Sequence, residues 1–233
     1  MIDRYTLAAN AASLQSTFRW LKDIPDSTAN YNAAPTQQLQ VTIAGNKDQI
    51  KKLQWGFMSN LSNNKKMSPR LFNADLNAAL TKPITRKSLT SKRCLIYADG
   101  FFVWKSVAKK TVTPYYIYPS DNQPFCIGGF WEEKDEFVEN SQDAFMMLTA
   151  PSKSDVYIYN EVMPWILPSD KAEDWLNPDL DLEQVREWHN AEDTLGFNIH
   201  AVSPAINNTE LNDARLIEAN KPTDQHGNYT LFG

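Results

Sequence analysis

The sequence predicts an α+β fold, a β-rich antiparallel barrel-like single domain with peripheral helices. Two observations carry this expectation. From Arg93 to Tyr159, six segments dense in aromatic and β-branched residues follow one another too closely to alternate with helices as βαβ units. Helical periodicity is found outside that stretch, near the start of the chain and again after Ser169.

Leu7, Leu14, Phe18 and Leu21 fall on one face at 3.6 residues per turn and predict an amphipathic helix that stops before Pro25. Tyr31 to Thr36 reads as a turn, because Ala34 precedes a proline and is pushed out of helical geometry. Gln38 to Ile43 and Leu53 to Phe57 read as a strand pair, punctuated by Gly45-Asn46. Asn60 to Pro69 is polar and reads as a loop. The six strands expected next are Arg93 to Ala98, Phe101 to Lys105, Tyr115 to Tyr118, Phe125 to Trp131, Phe145 to Thr149 and Val156 to Tyr159. Short helices are expected at Ser169 to Leu176, where Asp170 and Glu173 have capping-box spacing, and at Leu182 to Trp188. A last strand is expected near Asn198 to Val202, with residues 1–220 as the domain and 221–233 as a loose polar tail.

A chain of 233 residues can bury a sizeable core without disulfides, and its two cysteines, Cys94 and Cys126, sit inside apolar runs as buried thiols. No apolar run approaches the ~20 residues of a membrane helix, so a soluble, cytoplasmic monomer is expected. The formal charge of −5 excludes a protein that is basic all over. Yet from Asn64 to Lys110 eleven Lys or Arg face two acids, a net of +9, which leaves −14 for the rest. Such a segment can focus a polyanion onto one face. Generic phosphate-loop, dinucleotide and metal motifs are absent, and His189, His200 and His226 lie in separate elements, so neither cofactor nor metal is expected.

Nine short stretches carry a more specific message. They are Met1-Ile2-Asp3-Arg4-Tyr5, Tyr31 to Thr36, Trp55-Gly56-Phe57, Phe72-Asn73-Ala74, Arg93 to Lys105, Gly129 to Glu132, Leu148-Thr149, Met163 to Leu167 and Val202 to Asn208. In order and spacing they resemble the SOS-response-associated peptidase family, whose members process abasic sites in DNA. The resemblance implies a groove for single-stranded DNA and a covalent adduct with an abasic site. In that chemistry the amine and thiol of an N-terminal cysteine close a ring on the sugar aldehyde. A glutamate and a histidine move the protons, and an asparagine orients the amino terminus.

By that resemblance the asparagine is retained as Asn73, while Ile2 stands at the cysteine position, Val103 at the glutamate and Asn160 at the histidine. Asp75 and Val162 replace two arginines, and a bulky Ile2 disfavours removal of Met1. The DNA-binding residues implied are Arg4 for phosphate and Pro35, Trp55, Gly56 and Asn73 near the bases, although core packing is an equal reading of Trp55. The leading expectation is therefore binding of single-stranded or abasic-site DNA with little or no catalysis. Two alternatives stand beside it. One is residual lyase-like processing through an imine of the Met1 amine; the other is a non-DNA interaction protein on the same scaffold.

Overall fold

The strands are β1 (Tyr5–Leu7), β2 (Asn30–Ala33), β3 (Gln38–Ile43), β4 (Lys51–Trp55), β5 (Asn73–Asp75), β6 (Arg93–Ala98), β7 (Gly100–Ala108), β8 (Thr111–Pro119), β9 (Phe125–Glu132), β10 (Ala144–Pro151), β11 (Val162–Pro164) and β12 (Phe197–Ala201). The α-helices are α1 (Ala11–Thr17), α2 (Leu76–Thr81), α3 (Pro83–Ser91), α4 (Ala172–Trp175) and α5 (Leu182–Asn190). The structure is a computed structural model that describes all residues except 23, 26–27, 58–70, 109–110, 135, 137–140, 191–194 and 229–233.

Five strands close a barrel. β3 pairs antiparallel with β4 and β6, β6 with β9, and β9 with β10. β10 completes the ring by running parallel to β4, with Phe145 opposite Trp55. β5 and β11 attach to the second half of β10, where Thr149 stands opposite both Asp75 and Pro164. A second, antiparallel sheet has the order β12-β8-β7-β1-β2. Its inner face, with Tyr5, Phe101, Val103, Tyr115 and Ile117, joins the core that holds Val41, Ile96 and Phe145. Its outer face, with Phe102 and Tyr116, packs on Val202, Ile206 and Leu216. The two faces alternate along β7 and β8 because successive strand side chains point opposite ways.

Several expectations need correction. The first helix spans only Ala11–Thr17, with Asn10 as its cap, because Leu7 belongs to β1. Tyr31 to Ala33, expected as part of a turn, lie in β2, which pairs with β1. Val156 to Tyr159 is not a strand: Ser154–Ile158 forms a 3-10 turn, and Tyr159 follows it. The capping box at Asp170 does not form, since α4 starts after Lys171 without a side-chain cap. Residues 221–228 are not loose, because Gln225 exchanges hydrogen bonds with Val112 through both its backbone N–H and its side-chain oxygen. The polar stretch Asn60 to Pro69 lies outside the described residues.

Candidate functional site

β1 lies between β7 and β2, and its N-terminal extension reaches the head of β5. There Asn73 Nδ2 donates a hydrogen bond of 2.6 Å to the carbonyl of Ile2. Asn73 is fixed by the pairing of β5 on β10, and the Phe72 carbonyl before it accepts from Trp55 Nε1 at 2.8 Å. Ile2 is fully buried, whereas Met1 is 77 % exposed. Arg4 Nη1 donates to its neighbour's carbonyl, Asp3 O, at 2.6 Å and lies 3.6 Å from Asp3 Oδ2. Burial pushes the Asp3 carboxyl above its usual range, against the opposing pull of Arg4 and the amino terminus. Asp3 Oδ1, Arg4 Nε and Asn73 Oδ1 are buried and unpaired among the described residues. Two acceptors and a donor thus gather around the second residue of the chain.

Val103 lies in β7 opposite Tyr115 of β8, and both are buried. The Tyr115 ring meets that of Tyr159 at 4.6 Å between centroids, and Tyr159 immediately precedes Asn160. Asn160 closes its own turn: its N–H donates to Val156 O at 3.0 Å and its Nδ2 to Val162 O. Ile2 and Asn73 are therefore joined directly, and Val103 and Asn160 are linked through two tyrosines. Sequence reasoning missed the groups between them. Lys105, two residues beyond Val103 on the same face, holds its ammonium 5.0 Å from the Tyr159 ring centroid and 6.0 Å from that of Tyr115. The alternation along β7 was the signal that could have paired Lys105 with Val103.

The remaining candidates divide. Trp55 is fully buried, parallel to Phe145 at 6.3 Å and edge-on to Tyr5 and Phe72, so no face of it is open to a base and it serves the core. Gly56 has φ +103°, and a Cβ there would stand 3.2 Å from Phe72 Cβ, which ties this glycine to the backbone path. Pro35 is half-buried beside Thr36, whose φ is 83°. Asp75 caps α2 by accepting from Ala78 N at 2.8 Å.

The basic segment does not form one continuous free face among the described residues. Arg93 is fully buried, Arg86 lies 3.5 Å from Glu183, and Lys92 lies 3.1 Å from Glu132. Lys82 and Lys87 are exposed. Lys65, Lys66, Arg70, Lys109 and Lys110 lie outside the described residues. Cys94 and Cys126 are buried free thiols whose pKa burial pushes up, so neither is a nucleophile. Each histidine has its own polar neighbour: Asn77 for His189, the Ile217 carbonyl for His200 and Gln225 for His226. A cavity of about 540 Å³ is lined by Phe18, Trp165 and Trp188 among others, and none of Ile2, Asn73, Val103 or Asn160 lines it.

Residues 1–209 match the model of the family described as SOS response associated peptidase (SRAP). The abasic site processing protein YoqW of Bacillus subtilis is 28 % identical over 226 residues, covering 94 % of this chain and all of that protein. YedK of Escherichia coli, also named an abasic site processing protein, is 24 % identical and covers 83 % of this chain and 86 % of its own. A crystal structure of a protein from Bacteroides thetaiotaomicron has the same fold, with a TM-score of 0.78 at 19 % identity over 93 % of this chain and 99 % of that one.

Proposed function

Because this chain belongs to the SOS response associated peptidase family, we propose that it binds single-stranded DNA, abasic-site DNA included, without forming a stable crosslink. The hydrogen bond from Asn73 to the Ile2 carbonyl carries this reading. It ties the backbone of residue 2 to Asn73, and the side chain there is a buried aliphatic one. Ring closure on an aldehyde needs an amine and a thiol on adjacent carbons, and isoleucine supplies no thiol. Val103 and Asn160 offer no group that titrates, so proton transfer at those places is also lost. The names of the relatives, abasic site processing proteins, support DNA as the ligand. In this reading the protein works as a cytoplasmic monomer. Asn73 and the half-buried Pro35 and Arg4 border the strand, while Trp55 supports them from the core.

The test is a gel-shift titration with an abasic single-stranded oligonucleotide, followed by heating, with and without borohydride. Reversible binding that weakens with salt, and no heat-stable adduct, is expected. An adduct that survives heating without borohydride would disprove the reading, and so would an absence of binding at low salt. An adduct seen only after borohydride would assign an imine to the chain, with the Met1 amine as the first place to look.

A further inference from the structure

The geometry points to a phosphate subsite on β7 and β8, in which the Lys105 ammonium and the hydroxyls of Tyr115 and Thr113 hold one backbone phosphate of single-stranded DNA. This deepens the DNA-binding reading and rests on it. Val103 stands opposite Tyr115 and Lys105 opposite Thr113 in the pairing of these strands, so the four side chains share one face. Thr113 is fully buried and Tyr115 is 4 % exposed, yet neither hydroxyl has a partner among the described residues. Lys105 makes no ion pair among those residues and lies over the Tyr115 and Tyr159 rings.

Buried polar groups are paired in the great majority of cases, so two unpaired hydroxyls beside a cation ask for an explanation. Val103 adds no acceptor to this face. The three polar groups can all donate, and one carries a positive charge, which is the complement of an anion. Burial and the neighbouring Tyr159 raise the Tyr115 pKa, so the phenol keeps its proton for donation. The same 3-10 turn that leads into Tyr159 exposes Tyr157 and Ile158 by 62 % and 63 %. A cation beside exposed aromatic and aliphatic surface suits a nucleotide, whose base or sugar can lie on the apolar part while its phosphate meets the donors.

The experiment is a fluorescence-anisotropy titration of a single-stranded oligonucleotide at several salt concentrations, using the wild type, Lys105→Gln and Tyr115→Phe. Each variant should bind about tenfold more weakly, the scale of one lost hydrogen bond to a charged group. Lys105→Gln should also flatten the log affinity against log salt slope by about 0.7, and Tyr115→Phe should leave it unchanged. Because the Tyr115 hydroxyl has no partner among the described residues, Tyr115→Phe should keep the wild-type melting temperature, which separates a ligand contact from a structural one. Wild-type affinity in both variants would overturn the subsite and leave the DNA reading standing. If the wild type binds no DNA, that reading falls, and inorganic phosphate becomes the probe. A phosphate-dependent rise in melting temperature that both variants lack would then retain an anion site, and equal behaviour of all three proteins would remove it.

Discussion

Asn73 and Ile2 lie 71 residues apart in the chain and are joined by a side-chain amide donating to a backbone carbonyl at 2.6 Å. The acceptor is backbone, so the bond does not depend on which side chain follows Met1. Asn73→Ala should cost about 1–2 kcal/mol, since it removes the donor and leaves the part-buried carbonyl unpaired. Asn73→Asp should cost more at neutral pH, because a carboxylate would then face the carbonyl oxygen. Urea denaturation would show both as lower midpoints, and amide exchange should speed up over residues 2–5. Midpoints equal to the wild type would show that this bond does not hold the N-terminal segment.

Asp3 gives a prediction with a definite sign. Its carboxyl is raised above the ordinary value by burial, with Arg4 and the amino terminus pulling the other way. A raised acid binds its proton more tightly in the folded state than in the unfolded chain. Its ionisation therefore costs stability above the folded pKa, and the cost vanishes below the unfolded value. Asp3→Asn should raise the melting temperature at pH 7, and the gain over wild type should shrink as the pH falls toward 3. A gain that grows on acidification would reverse the assignment.

Arg93 is legible in the sequence only as one more positive charge, yet it is fully buried. Its guanidinium donates to the carbonyls of Leu89 and Thr90 in the last turn of α3 and to those of Trp175 and Asn177 around the end of α4. Carbonyls at helix ends lack partners within their own helix, and a cation there is also favoured by the helix dipole. Desolvation lowers the Arg93 pKa to about 10, still well above neutral pH. Arg93→Leu should lower stability by about 3 kcal/mol or more, because several buried carbonyls lose their donors together. Arg93→Lys should recover only part of this, having no planar fork to span two helix ends. Chemical denaturation of both variants provides the check, and DNA affinity of whatever remains folded should be unchanged.

The strands of the barrel were readable because β3 alternates polar and apolar residues and β6 is an apolar run after Arg93, and their expected limits match the observed ones. What escaped was decided by tertiary pairing. β1, β5 and β11 are three residues each, too short to show a period, and exist because longer strands offer them an edge. The helices α2 and α3 were hidden in a segment read for its charge, although Asp75 is an N-cap and Pro83 opens a helix. At the candidate site the motifs pointed to Ile2, Asn73, Val103 and Asn160. They carried no sign of the Tyr115, Tyr159 and Lys105 contacts, which depend on β8 pairing with β7 and on a 3-10 turn folding over both.

The most direct test of the whole reading is to put the chemistry back. In the triple variant Ile2→Cys, Val103→Glu, Asn160→His, a small second residue permits removal of Met1, and the exposed amine then stands on the carbon next to a thiol. Ile2 is fully buried, so cysteine there loses packing worth about 1–2 kcal/mol. Glutamate at 103 enters a core position 1 % exposed, but on a face shared with the unpaired Tyr115 hydroxyl and Lys105, which can receive it. Its burial should therefore cost less than in a purely apolar setting, and its pKa should stay nearer the ordinary range than burial alone would allow. General acid and base groups typically contribute about 10²–10⁴-fold in rate, so Ile2→Cys alone should crosslink slowly to an abasic oligonucleotide and the triple variant faster. The measurement is the rate of a heat-stable protein–DNA adduct on a denaturing gel, with circular dichroism to confirm folding. A folded triple variant that binds the oligonucleotide but forms no adduct would show that residues 2, 103 and 160 are not one reacting centre in this chain.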